Sequence, residues 1–456
     1  MSTRAASTSR VRGGAKRVGV GLIGFGTIGT GVVRVLRDRA RDIEDKLGAR
    51  LRLVRIADLD TSSDRGVRIP KGVLGKDADA LIDDPRVDIV VELIGGKEPA
   101  KTLISSALRA GKAVVTANKA LLSSEGRTLA RLAERNGVAL GYEASVGGGI
   151  PILRAVREGL AGDDNREVYG IVNGTANYIL SQMSAGAGEF AEVLARAQAL
   201  GLAEADPSYD VDGIDSLHKL AILVAIAFAK KIDPRRVHVE GIRHITSADI
   251  AYANEFGYTI KLLAVARKGS DGIEARVHPS MVPNSHLLSN VSGAFNAIAL
   301  ESAALGTSLY YGQGAGMMPT ASAVVADLMD AARAILAGAP PMVPPYGTPV
   351  AQIRRARVLP MSELTHEHYL RFRLADRPGV LAKIANILGA KGISIATVAQ
   401  RHEESVRGAV PVVMRTHRAK EGALQSALRR VSALKDCRAK PVSIRVEERL
   451  GGGGSR

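Results

Sequence analysis

Carboxylates crowd one short stretch of this chain and end on a lysine. Gly201-Leu202-Ala203-Glu204-Ala205-Asp206-Pro207 is followed by Asp210, Asp212 and Gly213, then by Ile214-Asp215-Ser216-Leu217-His218-Lys219. Asp215 and Lys219 stand four residues apart, so on a helix they share one face. The next residues, Leu220 to Ala229, are all apolar. Such a helix must be buried, and its polar first turn is expected to open onto a cleft. A lysine there, paired with a carboxylate and shielded from water, can carry a proton during hydride transfer. The plainer reading is an ordinary surface salt bridge, the default for such pairs. His218 points about 100° away from Lys219 on a helix and reads as a packing or capping residue.

Hydride chemistry needs a seat for its cofactor, and the N-terminal region offers one. The apolar run Val18-Gly19-Val20-Gly21-Leu22-Ile23 leads into Gly24-Phe25-Gly26-Thr27-Ile28-Gly29, followed by Val32, Val33, Val35 and Leu36 at helical spacing. This is the strand–GxGxxG–helix fingerprint of dinucleotide binding. Gly24 permits the tight turn, Gly26 lets the backbone approach a pyrophosphate, and Gly29 lets the helix close on the strand. The helix N-terminus at Thr27 and Ile28 faces the negative charge. The motif alone is weak, since a Gly-rich turn also produces it; the flanking strand and helix support the assignment. Asp58, after the second strand, is placed to hold the adenosine ribose. Asp60 and Arg65 lie nearby, and an arginine there would instead accept a 2′-phosphate, so NAD and NADP both stay open.

Three more segments have the composition of a site. Thr116-Ala117-Asn118-Lys119 falls at the carboxyl end of a strand, the end that faces the crevice of a doubly wound sheet. Lys119 can donate there to a substrate carboxylate or carbonyl, or stand as a solvated loop lysine. Glu143-Ala144-Ser145-Val146-Gly147-Gly148-Gly149-Ile150-Pro151 couples a carboxylate to a glycine triplet with exposed carbonyls. Such a loop can ligate a hard cation through oxygens, while a flexible hinge is the simpler reading. Gly312-Gln313-Gly314-Ala315-Gly316-Met317-Met318-Pro319-Thr320 precedes a helix and could close over the nicotinamide, or serve only as helix entry.

The elements that must position these residues fall into three units. Strands are predicted at 18–23, 51–57, 87–93, 112–117 and 138–142, with helices at 27–47, 100–110 and 124–136. Alternation of this kind predicts an α/β, doubly wound parallel sheet over residues 18–142. Residues 143–336 read as a second unit. Its expected strands are 168–173, 237–243, 260–267 and 273–282, with helices at 189–200 and 216–230. Pro340, Pro341, Pro344, Pro345 and Pro349 mark residues 337–365 as a linker. Residues 366–449 read as a compact βαββαβ unit: strand 369–374, helix 380–390, strands 394–399 and 409–415, helix 419–433 and strand 441–446. Residues 1–17 and 450–456 are expected to be tails.

Composition removes several classes of protein. The formal charge of +16 suggests nucleic acid, but residues 1–17 hold five basic and no acidic residues, and residues 366–456 carry a net +10. The middle of the chain is balanced, and no basic–aromatic interleaving accompanies the excess, so solvated surface charge is expected and a nucleic-acid partner is not. The longest apolar run is far short of the roughly 20 residues of a membrane span. Residues 1–17 contain no apolar core of a secretory signal, so a cytoplasmic protein without a membrane partner is expected. The single cysteine, Cys437, excludes internal disulfides and fits a reducing compartment. Placed near the far end of the chain, it also argues against aldehyde oxidation through a thioester.

These residues resemble the homoserine dehydrogenases, in their longer form with a C-terminal ACT domain. The resemblance spans residues 18 to 449 and is carried by GLIGFGTIGTGV, VVTANKALL, YEASVGGGIPIL, NGTANYIL, GLAEADPSYDVDGIDSLHKLAIL and GQGAGMMPTASAV. It implies a Rossmann domain, a central α+β catalytic and dimerisation domain and a ferredoxin-like ACT domain. It implies interconversion of L-homoserine and L-aspartate 4-semialdehyde with NADP or NAD. Lys219 then matches the proton-transferring lysine, with Lys119 as the second lysine and Asp215 as the carboxylate partner; Glu204 and Asp210 belong with Asp215 at the substrate. Gly24, Gly26, Thr27, Ile28, Gly29, Asp58, Thr116, Lys119, Gly174 and Gly316 match the cofactor contacts. Glu143, with the backbone oxygens of Val146, Gly148 and Ile150, matches a monovalent-cation loop for Na or K. The segment LADRPGVLAKIANILGAKGISI implies an amino-acid effector, threonine, at the turn holding Asp376 and Gly379; an oligomerisation module without an effector is the alternative. The family further implies a homodimer or homotetramer, and no kinase region is expected ahead of the fingerprint. Other readings are a dehydrogenase of another small amino or hydroxy acid, or an inactive amino-acid sensor.

Overall fold

The computed structural model describes residues 16–400, 408–448 and 450. Of the expected tails, residues 1–15 and 451–456 lie outside the described residues, whereas Lys16 and Arg17 already belong to the first strand. That strand, β1 (Lys16–Ile23), is followed by β2 (Ala49–Ala57), β3 (Leu74–Gly75), β4 (Ile89–Glu92), β5 (Ala113–Thr116) and β6 (Leu140–Gly141). All six pair in parallel, in the order β3-β2-β1-β4-β5-β6. β4 and β5 are buried along their whole length, as a parallel sheet covered by helices on both faces requires. The order reverses at β1 and β4, which fixes a crevice at their carboxyl ends.

The helices of this unit differ in detail from expectation. The stretch 27–47 is two helices, Thr27–Asp38 and Ala40–Leu47, because Arg39 leaves helical angles at φ −111° and ψ 18°. The helix expected at 124–136 begins at Lys119, where the Asn118 side chain accepts a hydrogen bond from Leu121 N at 3.1 Å and caps it. The helix Met317–Ala337 closes the middle stretch of sequence, yet it lies on the first sheet: Ala321, Val324 and Leu328 share a core with Val32 and Leu36.

A second sheet is built from β7 (Asn165–Ile171), β10 (Tyr258–Lys268), β11 (Ile273–Pro283), β12 (Phe295–Ser302) and β13 (Gly306–Gln313), with two-residue strands β8 (Lys230–Lys231), β9 (His238–Val239) and β14 (Arg354–Arg355) nearby. Its order is β13-β12-β7-β10-β11, antiparallel throughout. The hairpin β12–β13 has no counterpart among the predicted strands; Asn-, Ala-, Ser- and Gly-rich residues give it little strand signal. β7 ends at Ile171 rather than 173, because the Asn173 side chain accepts from Ala176 N at 2.8 Å and starts the helix Gly174–Ser184. The strand expected at 237–243 shrinks to His238–Val239. Beyond it the chain crosses to Val211 and Asp212 so closely that a Cβ on Gly241 would lie 2.3 Å from Val211 O.

The C-terminal unit runs β15 (Thr365–Ala375), helix Val380–Gly389, β16 (Ile395–Ala399), β17 (Ala409–Thr416), the short β18 (Ala419–Lys420), helix Glu421–Ser432 and β19 (Val442–Val446), the expected βαββαβ order with one added short strand. β19 pairs in parallel with β11 through Ser280–Arg445 and Met281–Val446, so the two sheets are one. The proline-rich segment is ordered and anchored. Tyr142 Oη donates to Pro345 O at 2.6 Å, Val350 N donates to Glu134 at 3.0 Å, and Tyr346, Val350 and Ile353 are buried.

Candidate active site

The helix Ile214–Phe228 starts after Gly213, whose φ of 83° suits a residue without a side chain, and is buried along nearly its whole length. Its first turn presents Asp215 and Lys219 on one side, as the spacing predicts. Lys219 Nζ donates to Asp215 Oδ2 at 2.7 Å and to Val172 O at 2.6 Å. Lys119 Nζ approaches the other carboxylate oxygen at 3.2 Å. Asn173 Nδ2 donates to Asp215 Oδ2 at 2.9 Å and to Asp210 Oδ1 at 2.7 Å. Three side chains from three segments, Lys219, Lys119 and Asn173, thus converge on one carboxylate, and Asn173 links it to Asp210.

Burial opposes the charge on Asp215, but the ammonium groups of Lys219 and Lys119 overcome it and hold its carboxyl below the usual range. Burial lowers Lys219 below the ordinary lysine range, although Asp215 pulls the other way. Burial also raises the Asp210 carboxyl, with Asn173 opposing. The result is a buried amine whose proton is held less firmly than that of a free lysine, the condition for reversible proton transfer near neutral pH.

A cavity of about 300 Å³ lies in front of this amine, lined by Ile28, Asn118, Lys119, Ser145, Lys219 and Gly316 among others. It is the crevice of the first sheet continued toward the second. The fingerprint glycines have the geometry their roles require. Gly24 has φ 97°, and a Cβ on Gly29 would sit 2.2 Å from Gly24 O, whereas a Cβ on Gly26 would meet nothing within 4 Å and faces open space. Asp58 accepts from Phe25 N at 2.5 Å and Asp60 N at 2.8 Å, and Arg65 lies 3.6 Å from it with its guanidinium over the Phe25 ring. These residues fit a dinucleotide.

One buried carboxylate beside the cavity carries no signal in the sequence. Glu92, fully buried at the end of β4, accepts from Thr116 Oγ1 at 2.6 Å and from Ile94 N at 2.8 Å. Thr116 Oγ1 in turn accepts from Asn118 N at 3.0 Å, so one carboxyl, raised by burial, ties together both turns that flank the cavity. An isolated glutamate at the end of an apolar strand gave no periodic signal. Asn173 was read only as the end of a strand; an Asn-Gly pair before a helical run is its cap signature.

Other expected site residues stand apart from the cluster. Glu204 is exposed, its carbonyl accepting from Gln198. Gly174 opens a helix against Ala294 and does not line the cavity. The Glu143 carboxylate accepts from Leu153 N and Arg154 N at 2.8 Å each, and burial together with Asp327 pushes it up to about 7. In the 146–150 loop, Gly148 approaches Gly314, and Ile150 N donates to Gly147 O at 2.9 Å. Among the described residues no group of three or more His, Cys, Asp or Glu is arranged to hold a metal ion, and no helix is long and apolar enough to cross a membrane. Asp376 and Gly379 lie on an exposed turn beside Asp436, which pairs with Arg377 and with Lys383 at 2.9 Å.

A dinucleotide crevice that ends on a buried lysine–carboxylate pair, with a separate C-terminal module, defines a nicotinamide-dependent oxidoreductase. Family models match the chain in three consecutive blocks: "Homoserine dehydrogenase, NAD binding domain" over residues 24–143, "Homoserine dehydrogenase" over 151–329 and "ACT domain" over 368–436. A homoserine dehydrogenase of Neisseria gonorrhoeae is 44% identical over 433 residues, covering 95% of this chain and 99% of the relative. The crystal structure of a homoserine dehydrogenase from Thiobacillus denitrificans superposes with a TM-score of 0.88 at 44% identity, covering 95% of this chain and 98% of that one. A hyperthermophilic archaeal homoserine dehydrogenase in complex with NADPH superposes with a TM-score of 0.60 at 27% identity, covering 69% of this chain and 97% of its own. The chain belongs to the homoserine dehydrogenase family and is an oxidoreductase with a C-terminal ACT domain.

Proposed function

We propose that Lys219 is the proton-transferring group of the homoserine dehydrogenase reaction in this chain, with Lys119 beside it as an electrostatic partner. The supporting observation is the Lys219 amine itself, lining the cavity while bonded to Asp215 and to the Val172 carbonyl. Ile28 and Gly316, which line the cavity, are among the residues that would hold a nicotinamide cofactor, and that group would supply or accept the hydride. In the reductive direction Lys219 delivers its proton to the developing alkoxide oxygen, and in the oxidative direction it accepts the hydroxyl proton. Lys119, about one third exposed, adds positive charge where the oxygen becomes negative. Asp215 and the Val172 carbonyl hold the amine in place, Asn173 braces Asp215, and Asp210 with Glu204 are the carboxylates we assign to the substrate ammonium group. Glu204 reaches it only if the 200–207 loop folds inward.

Asp58 offers an acceptor for a ribose hydroxyl and Arg65 a cation for a 2′-phosphate, which supports use of NADP as well as NAD. We assign the remaining cofactor contacts to Gly24, Gly26, Thr27, Ile28, Gly29, Thr116, Gly174 and Gly316. For the 143–150 loop we propose a monovalent cation, Na or K, beside Glu143 and the carbonyls of Val146, Gly148 and Ile150. A buried carboxylate with no ion-paired side chain among the described residues fits such a cation. We assign threonine as an effector at the Asp376–Gly379 turn. We also propose a homodimer or homotetramer formed through the exposed face of β12–β13, where Phe295 and Tyr311 stack at 5.2 Å. A cytoplasmic enzyme suits the one free cysteine, Cys437. The deciding experiment is a steady-state assay on L-homoserine and on aspartate semialdehyde with each cofactor, with and without threonine. Turnover with both substrates is expected, and a folded, cofactor-binding enzyme inert toward both would reject the reading.

A further inference from the structure

A second cavity, larger at about 770 Å³, opens between the Lys119–Asn136 helix, the start of the Ile214–Phe228 helix and the β8–β14 ribbon. It shares no lining residue with the catalytic cavity. Its wall carries Lys97, Lys231, Arg235, Arg236, Arg355 and Arg357 against a single carboxylate, Asp233. Asp233 is taken by Arg235 at 2.9 Å, and Arg357 by Glu363 at 2.9 Å. Lys97, Lys231, Arg236 and Arg355 have no carboxylate within ion-pair distance among the described residues.

The ribbon sets like charges side by side. β14 and β8 run parallel with Arg354 opposite Lys230 and Arg355 opposite Lys231. Like charges directly opposite each other weaken a strand pair. Burial holds Lys231 below the usual lysine range, with Arg355 and Arg127 adding to the effect and Glu125 and Asp233 opposing it. The repulsion is concentrated in a concave place, where low-dielectric walls strengthen the field and draw anions. Guanidinium groups add a fork geometry matched to phosphate oxygens.

We propose that this cavity binds a small, multiply charged phosphate compound between Lys231, Arg236 and Arg355. The concave shape, within the usual size of a small-molecule pocket, suits such a ligand better than an extended polyanion. Leu217 and His218 line the same cavity. The occupant therefore bridges β14, on the segment leading to the ACT domain, and the helix that carries Lys219.

The test is calorimetric titration of the full chain with inorganic tripolyphosphate, in saturating NADPH so that the dinucleotide crevice is filled. Wild type should show one saturable site per chain. Arg355→Gln and Arg236→Gln should each weaken it about tenfold or more. The double variant Arg429→Gln/Arg430→Gln, on the exposed side of the helix Glu421–Ser432, removes more charge and should change the affinity by less than about twofold. In thermal melts without probe, Arg355→Gln should be at least as stable as wild type and should lose the rise in Tm that tripolyphosphate gives. The proposal is overturned by the absence of saturable binding, by affinity unchanged in both Arg355→Gln and Arg236→Gln, or by equal weakening in the control. It is also overturned if a short RNA binds more tightly than tripolyphosphate and shows the same dependence on Arg355.

Discussion

Two clusters of buried charge in this molecule behave in opposite ways. At the cavity, Lys219 is buried and its amine is pushed below the ordinary range. Where β10 and β11 meet β15 and β19, Arg445 is also buried and Arg267 half-buried, yet both are raised above theirs. Burial opposes the charge in every case; the carboxylates decide the sign. Arg445 pairs with Glu240 at 2.9 Å and Glu421 at 2.8 Å, and Arg267 with Glu167 at 2.8 Å. Lys219 has one aspartate, which it shares with Lys119. Over-compensated charge fixes a domain seam, whereas under-compensated charge leaves a proton that can move. Access differs in the same sense: Lys219 lines a cavity, and Arg276 beside the seam is fully buried with Glu274 at 2.7 Å and Glu447 at 2.9 Å.

Mutation should separate the two clusters. Lys219→Ala is expected to lower turnover by about 10²–10⁴-fold, the usual range for a general acid–base group. Cofactor affinity, read by fluorescence titration, should stay close to wild type, and Tm should fall less than in Arg445→Ala, because Lys119 and Asn173 still hold Asp215. Arg445→Ala should do the reverse. It leaves the buried Glu421 and the half-buried Glu240 without this partner and should cost about 3–5 kcal/mol in denaturant unfolding, with turnover at low temperature reduced far less than in Lys219→Ala. A comparable loss of turnover in both would merge the clusters into one functional unit.

A smaller effect is expected at Asn173, which links Asp210 to Asp215. Asn173→Ala should raise KM for homoserine more than it lowers kcat, because it releases Asp210, the carboxylate proposed for the substrate ammonium, while leaving the Lys219–Asp215 contact intact. The smallest effect concerns pH and stability. Glu143 titrates near 7 in the folded protein against an ordinary 4.5. A raised carboxyl contributes stability that is present below about 4.5 and is lost as pH rises through about 7. Tm profiles of Glu143→Gln should be flatter across that window. Added K or Na should raise the Tm of wild type above pH 7, and not that of the variant.

Much of this arrangement was legible in the residues. The Asp215–Lys219 spacing and the apolar run after it specified a buried helix with a polar mouth, and the glycine spacing specified the turn at Gly24. The βαββαβ order of the C-terminal unit followed from alternation and turn residues. What escaped depends on contacts distant in sequence. The β12–β13 hairpin has weak strand propensity and is held by its neighbour β7. The proline segment reads as a linker because prolines resist regular structure, yet its apolar residues find a groove beside Tyr142. The buried network around Arg276 and Arg445 looks, in sequence, like ordinary surface charge spread over β11, β15 and β19. The basic cavity is invisible in a net charge that balances over residues 18–365.

The most direct test of Lys219 as the proton carrier is the pH dependence of kcat/KM for homoserine oxidation, followed by NADPH absorbance in wild type and Lys219→Ala. Wild type should gain rate with rising pH as the amine loses its proton, through a limb below the ordinary lysine range, and the reductive reaction should show the limb with opposite sign. The residual rate of the variant should lack that limb. An identical limb in the variant, or turnover near that of wild type, would contradict the assignment.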